Sequence, residues 1–196
     1  MSFSKTKIFN IALQNLGISS IIENNNEQDP KALLLSNYYE IARNTVLEAH
    51  EWSFATAYVK LSVNLYEPIN PNFLFAYSMP SDCIAPRAVI NVADKQEKIF
   101  ETAVSQGSER IILTNHNPCI LRYTKRADKE AMYSAAFVNA LGFYLAYMAA
   151  QTIVGSANKK NTNLQDYQIA IRQAIAFDAR KNATSDEDDK DYTEYR

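Results

Sequence analysis

The sequence predicts an α+β fold that is mainly α: an antiparallel helical bundle with an inserted small antiparallel β region and a disordered or extended C-terminal arm. Apolar residues recur at helical spacing toward both ends of the chain, whereas the middle alternates apolar and polar residues. The 196 residues include only four glycines, which favours long helices with few tight loops. The predicted boundaries are 1–56 for the N-terminal helices, 57–128 for the β region, 129–184 for the C-terminal helices and 185–196 for an acidic tail.

Two helices are predicted before the β region. From Ser4 to Leu16 the apolar residues share one helical face, and Gly17 is placed to cap its end. A polar, Asn-rich stretch follows and stops at Asp29 and Pro30. Asp at the N-cap with Pro at the first helical position is a strong start signal, so a second helix is expected from Pro30 toward Trp52.

The β region is predicted from a change of period. Apolar residues alternate with polar ones from Ala57 to Tyr66, which is typical of a half-buried strand. Turn-forming residues separate the later strand-like runs and favour antiparallel hairpins between them. These runs are 73–79, 87–92, 98–104, 110–114 and 119–124.

The C-terminal helices are predicted from a wide apolar face between Phe137 and Ala149. Segment 131–154 has no charged residue and is long enough to span a membrane. Its recurring polar residues, its three tyrosines and the lack of a basic flank favour instead a helix buried in a bundle, with no membrane partner. A loop is expected at 158–161, and the Thr162 to Gln165 spacing predicts the start of the last helix.

The last eleven residues differ from the rest of the chain. They hold six acidic and two basic residues, a net charge of −4, and no aliphatic residue, which predicts disorder in isolation. Two interpretations stay open: a solvated terminus that aids solubility, or a docking arm with acidic residues that steer it and tyrosines that anchor it. The candidate docking residues are Asp186, Glu187, Asp188, Asp189, Asp191, Tyr192, Glu194, Tyr195 and Arg196.

No pattern in the sequence indicates catalysis, a cofactor or a metal. The two histidines, His50 and His116, neighbour no Cys or acid at ligand spacing, and Cys83 and Cys119 form no CxxC pair. No catalytic or nucleotide-binding motif occurs, so the chain is not expected to be an enzyme. An acid pair for glycoside cleavage could be assembled, but solvated acids are the simpler interpretation; the candidates are Glu48, Glu51, Asp82 and Glu101.

Charge and the N-terminus limit the partners further. With 20 basic against 22 acidic residues, the chain lacks the basic surface that binds DNA tightly. The N-terminus lacks the features of a secretory signal, so folding in a cytoplasm is expected. Twelve tyrosines suit interfaces that form after folding, because tyrosine buries area while keeping a polar tip.

Two short strings carry a resemblance to a known family. His50-Glu51-Trp52-Ser53-Phe54-Ala55 is followed by Tyr77-Ser78-Met79-Pro80-Ser81-Asp82-Cys83. In this order, between N-terminal and C-terminal helices, the strings resemble those of the head-to-tail adaptors of short-tailed phages, often called tail tubular protein A. The residues that carry the resemblance, taken as structural, are Trp52, Phe54, Ala55, Tyr77, Pro80 and Asp82.

The resemblance implies a structural virion protein that is assembled in the host cytoplasm. Its implied partners are eleven further copies in a twelve-subunit ring, the portal protein above, a tail or nozzle protein below, and genomic DNA that passes through the channel without sequence-specific binding. By analogy the acidic tail would reach the portal. Two alternatives remain: a peptidoglycan-degrading virion protein that uses an acid pair, and a host-derived helical interaction module that forms no ring.

Overall fold

The computed structural model describes residues 3–19, 21–23, 29–62, 68 and 70–191, with the backbone alone for 182–191. The chain divides into two units. The helical unit comprises Met1–Phe54 and Ala127–Arg196, and the β unit comprises Ala55–Arg126. A little more than half of the helical unit's residues therefore follow the β unit in the sequence.

Four α-helices and one short 3-10 helix make up the described part of the helical unit. Side chains at three N-caps accept a hydrogen bond from the first turn: Ser4, Asp29 and Ser134 bond the amides of Lys7, Lys31 and Phe137. Gly17 has a φ of 83° just after the first helix, which confirms its predicted capping role. The helices are α1 Lys5–Asn15, α2 Pro30–Glu48, the 3-10 helix Glu130–Met132, α3 Ala135–Ile153 and α4 Ala157–Asp191.

Helix α3 is the centre of the helical unit, because α1, α2 and α4 all pack against it. It crosses α1 at Gly142, where an added Cβ would lie 2.5 Å from Ile11 Cγ2. The large, fully buried side chains of this unit come from α1, α2 and α3 and from the corner after α2. They are Ile8, Leu13, Leu35, Leu47, Trp52, Phe137, Leu141 and Leu145.

The β unit contains seven strands in its described residues, all paired antiparallel and divided between two sheets. Sheet A has the order β1-β7-β3-β4, and sheet B has the order β2-β6-β5. The strands are β1 Thr56–Lys60, β2 Phe75–Ser78, β3 Cys83–Asn91, β4 Glu97–Lys98, β5 Glu101–Val104, β6 Arg110–Thr114 and β7 Cys119–Lys125.

The two sheets share a core of their own. Val89 and Leu121 of sheet A pack in one cluster with Tyr77 and Ile112 of sheet B. A second cluster on the other face of sheet B includes Ile111, as expected where side chains alternate between the faces of a strand. The β unit therefore has a hydrophobic core built from its own residues.

The predicted fold class is wrong. Helix accounts for 46% and strand for 22% of the structure, so the protein is mixed rather than a helical bundle with a small inserted sheet. Alternation located the strand-like runs, but period alone does not report whether strands form one minor sheet or two that bury a core between them. The hairpin expected between β6 and β7 is also absent, since these strands belong to different sheets.

The C-terminal prediction also needs correction. The expected loop at 158–161 is helical, because α4 begins at Ala157, where the Ser156 hydroxyl accepts from the Lys159 amide at 3.2 Å. The backbone of 185–191 continues α4 instead of being disordered or extended. Once a helix is nucleated, each further residue adds a hydrogen bond at little cost. The remainder of the expected arm, 192–196, lies outside the described residues.

One helix in the described part of the chain, α3, is long and apolar enough to cross a membrane. Half of its apolar window is buried against the rest of the chain. A core helix of a soluble protein passes the same test, so length and composition here are weak grounds for a membrane span.

Candidate functional site

The first string forms the corner at the end of α2. Trp52 is fully buried, and its Nε1 donates a hydrogen bond to the Val46 carbonyl oxygen at 2.9 Å. Its ring centroid lies 6.0 Å from Phe54 and 5.1 Å from Phe137, and Phe137 lies 4.8 Å from Tyr133. The Trp52–Phe54 pair is stacked, and Phe137 makes edge-to-face pairs with Trp52 and Tyr133. Aromatic pairs of both kinds at these distances stabilise the fold beyond the area they bury. Trp52 and Phe54 therefore tie the end of α2 to the start of α3.

Between these aromatics, Ser53 holds a buried carboxylate from the last helix. Asp178 Oδ2 accepts from the Ser53 amide at 3.0 Å, and Oδ1 accepts from the Ser53 hydroxyl at 2.7 Å. His50 Nε2 lies 3.4 Å from the same carboxylate. The residue types are those of a hydrolytic triad, but the order is wrong, because the acid rather than the histidine contacts the serine hydroxyl. The arrangement suits fastening α4 to the corner.

A second polar cluster in the helical unit lies at the segment that enters α3. The buried Arg43 contacts Asp128 Oδ1 through Nη1 at 2.8 Å, and the Tyr39 hydroxyl donates to Glu130 at 3.1 Å. The Tyr133 hydroxyl donates to the Ala127 carbonyl oxygen at 2.6 Å. Burial raises the pKa of Tyr39 and raises the pKa of Tyr133 to about 12. Both tyrosines therefore remain protonated donors at any physiological pH.

The second string builds a turn within the β unit. The Cys83 amide donates to the Pro80 carbonyl oxygen at 3.0 Å, and the Tyr77 hydroxyl donates to the His116 carbonyl oxygen at 2.8 Å. The Asp82 carboxylate accepts from the Tyr123 hydroxyl at 3.2 Å and lies 3.5 Å from Lys125 Nζ. These contacts give Pro80 and Asp82 roles in holding the turn, and they give Tyr77 a role in holding the loop between β6 and β7.

Burial raises the pKa values of the tyrosine and cysteine side chains around this turn. Burial raises the pKa of both Tyr77 and Tyr123 to about 12. It also raises the pKa of the Cys83 thiol to about 11, and the free, buried Cys119 shifts in the same direction. A raised pKa keeps a thiol protonated and unreactive, which fits structural rather than nucleophilic cysteines.

An open cleft of about 370 Å³ lies beside this turn. Residues 78–81 of the second string line one side, and Glu109 and Arg110 line the other. Arg110 Nη1 donates to the Cys83 carbonyl oxygen at 3.0 Å, so its guanidinium is engaged by the turn itself. The cleft offers one acid and one base of opposite charge, whereas glycoside cleavage needs two carboxyl groups on either side of the bond.

The remaining candidate residues are dispersed. Glu101 is exposed on β5 and accepts a hydrogen bond from Asn70 at 3.1 Å. Of the proposed docking residues, 186–191 belong to the backbone of α4, whereas Tyr192, Glu194, Tyr195 and Arg196 lie outside the described residues. Nowhere in the described residues do three or more His, Cys, Asp or Glu side chains form a group that could hold a metal ion.

The sequence did not single out Ser53, Asp178 or Arg43 as functional, although two signals were present. Asp178 falls on the apolar face of the last helix, and Arg43 lies among the buried positions of α2. A charged residue at a core position requires a partner. Neither signal identifies that partner.

No protein-family model matches the chain, and no curated protein matches it significantly.

Proposed function

We propose that this chain is a non-enzymatic ring subunit, a head-to-tail adaptor that joins the portal vertex of a short-tailed phage to its tail. The observation that carries the proposal is the pair of strings, Trp52 to Ala55 and Tyr77 to Cys83. The Trp52 side chain bonds backbone at the end of α2, and the Tyr77 side chain bonds backbone in the loop between β6 and β7. Such residues fix the local backbone conformation. A subunit of an assembly needs a fixed conformation to present the same surfaces to its neighbours.

The last helix supports a docking role for the tail. Helix α4 has 35 residues, which corresponds to a length of about 52 Å. Asp178 is the last of its buried side chains in the described range, and residues 179–181 are all exposed. The backbone of the acidic end continues this helix as far as residue 191. In the proposed assembly, its acidic residues bind a basic groove on the portal protein.

The remaining partners follow from the same proposal. Twelve copies would surround the DNA exit channel, with a tail or nozzle protein below. The nearly balanced charge of 20 basic and 22 acidic residues suits a channel, because strong phosphate contacts would retain DNA that has to slide.

The test is native mass spectrometry of the protein mixed with the portal protein encoded by the same genome. Twelve copies on each portal assembly are expected, and a chain truncated after Thr184 should bind much more weakly. A matched full-length variant with the tail acids replaced by their amides separates charge from length. No association of the intact chain would refute the proposal, and loss of turbidity of purified cell wall would favour a hydrolase instead.

A further inference from the structure

Helix α2 exposes an apolar and acidic surface, the α2 face. Leu33 is 56% and Ile41 is 58% exposed, large fractions for such side chains, and they lie eight residues apart on one side of the helix. Glu40 and Glu48 share that side and are exposed. Glu40 lies 3.6 Å from the buried Arg43, yet its side chain remains 67% exposed.

Helix α4 exposes a surface with the same apolar spacing and the opposite charge, the α4 face. Ile169 is 50% and Phe177 is 59% exposed, again eight residues apart. Arg172 and Arg180 lie on the same side and are exposed. The one acid between Ile169 and Arg180 is Asp178, which is buried on the opposite side of the helix.

We propose that the α2 face of one copy binds the α4 face of a second copy. Eight helical residues correspond to about 12 Å, so two apolar side chains on each face meet two on the other. The acidic residues of one face then lie beside the basic residues of its partner, which favours the pairing of unlike faces over that of like faces.

The geometry of α3 keeps the two faces apart on one subunit. Helices α2 and α4 each pack on α3 and make at most marginal contact with each other. A contact between two different faces is heterologous, so a bound pair still offers one unoccupied α2 face on one copy and one unoccupied α4 face on the other. Repetition of such a contact closes a ring when the rotation between copies allows it.

This inference rests on the proposed ring and names the contact that would build it. Docking around a portal raises the effective concentration of copies to about the millimolar range, so a weak contact suffices. Self-association should therefore be measured up to about 1 mM, by sedimentation equilibrium of the full chain.

A charge exchange tests the pairing. One variant carries Glu40→Lys and Glu48→Lys, and the other carries Arg172→Glu and Arg180→Glu. Each alone should self-associate at least about tenfold more weakly than the wild type, because like charges then meet. An equimolar mixture should associate again, since each reversed face finds a complementary one.

Serine substitutions of the apolar residues provide a second test in case the charge variants misfold. Leu33→Ser and Phe177→Ser should each weaken self-association, whereas Ile99→Ser should not, because Ile99 is 84% exposed but lies in the β unit. A wild-type chain that stays monomeric at about 1 mM would overturn the inference. So would a mixture of the charge-reversed variants that does not recover, or association that survives both serine substitutions.

The failure of this contact and the failure of the adaptor proposal are distinguishable. If the face variants still assemble twelve copies on the portal, the contact is refuted and the adaptor stands. If the wild type self-associates through these faces but does not bind the portal protein, the contact stands and the adaptor proposal is refuted.

Discussion

Substitution of Gly142 by alanine tests how closely α1 approaches α3. The new Cβ would lie 2.5 Å from Ile11 Cγ2 and 3.4 Å from Ile11 Cβ, whereas carbon atoms in contact prefer about 3.5–4.0 Å. The methyl group is attached directly to the branched Cβ of Ile11, whose χ1 angle is restricted in a helix, so it cannot swing away. The helices must therefore separate locally by about 1 Å.

The expected change in the free energy of unfolding is the difference between two effects. Overpacking a core typically costs about 1–3 kcal/mol, whereas alanine gains about 1 kcal/mol over glycine inside a helix. Gly142→Ala should therefore destabilise the helical unit by about 1 kcal/mol. In an Ile11→Ala background the clashing methyl group is absent, and the same substitution should stabilise by about 1 kcal/mol.

The assay is urea unfolding followed by tryptophan fluorescence. The chain has a single tryptophan, Trp52, which lies in the helical unit, so the signal is specific to that unit. Gly107→Ala is the matched control, because its Cβ would meet only Ser105 Oγ at 3.7 Å in the β unit. An effect of Gly142→Ala with the same sign in both backgrounds would refute the argument.

Two further predictions concern buried polar groups. Asp178→Ala leaves the amide and hydroxyl of Ser53 without their acceptor, which should cost the helical unit about 3 kcal/mol; Asp178→Asn should cost less, and a loss below about 1 kcal/mol for alanine would contradict the assigned role. Stability should also fall as the pH rises from about 10 to about 12, because tyrosines in the unfolded chain lose their protons first near pH 10. Circular dichroism together with tyrosinate absorbance checks this, and a folded protein with fully ionised tyrosines would contradict it. The tyrosines whose pKa is raised to about 12 in the folded state are Tyr77, Tyr123 and Tyr133.

The helix starts were predictable because their chemistry is local. Asp29 and Pro30 act within one turn, and the Asp29 side chain indeed accepts from the Lys31 amide. The start of α4 was misplaced because two signals compete there: the Thr162 to Gln165 spacing mimics a capping box, while Ser156 provides the cap that the structure uses. A capping motif shows that a helix could begin at a residue, not that none begins earlier.

The strands were located more accurately than the class of fold. The run predicted at 110–114 coincides with β6, and that at 119–124 lies within β7. The partners of these strands could not be deduced, because pairing is set by contacts between distant residues. Val89 faces Leu121 across one sheet, whereas Ile112 of the other sheet packs into the same cluster. Alternation with a period of two residues indicates which face of a strand is buried, but it does not indicate that the core lies between two sheets.

The corner residues show the same limit most clearly. The position of Asp178 on the apolar face of the last helix indicates that this acid has a partner. The position of Ser53 between two aromatic residues indicates a constrained backbone. The two residues are 125 positions apart, so no local pattern connects them.

The acidic tail was mispredicted for a different reason. Its composition predicted disorder, but a helix anchored by earlier residues can propagate into a segment whose own composition does not favour order. Asp178 and the α3 contacts anchor α4, and residues 179–181 are already exposed. Removal of the chain after Thr184 should therefore leave the unfolding of the helical unit unchanged, so that any loss of portal binding by that variant reports docking and not folding.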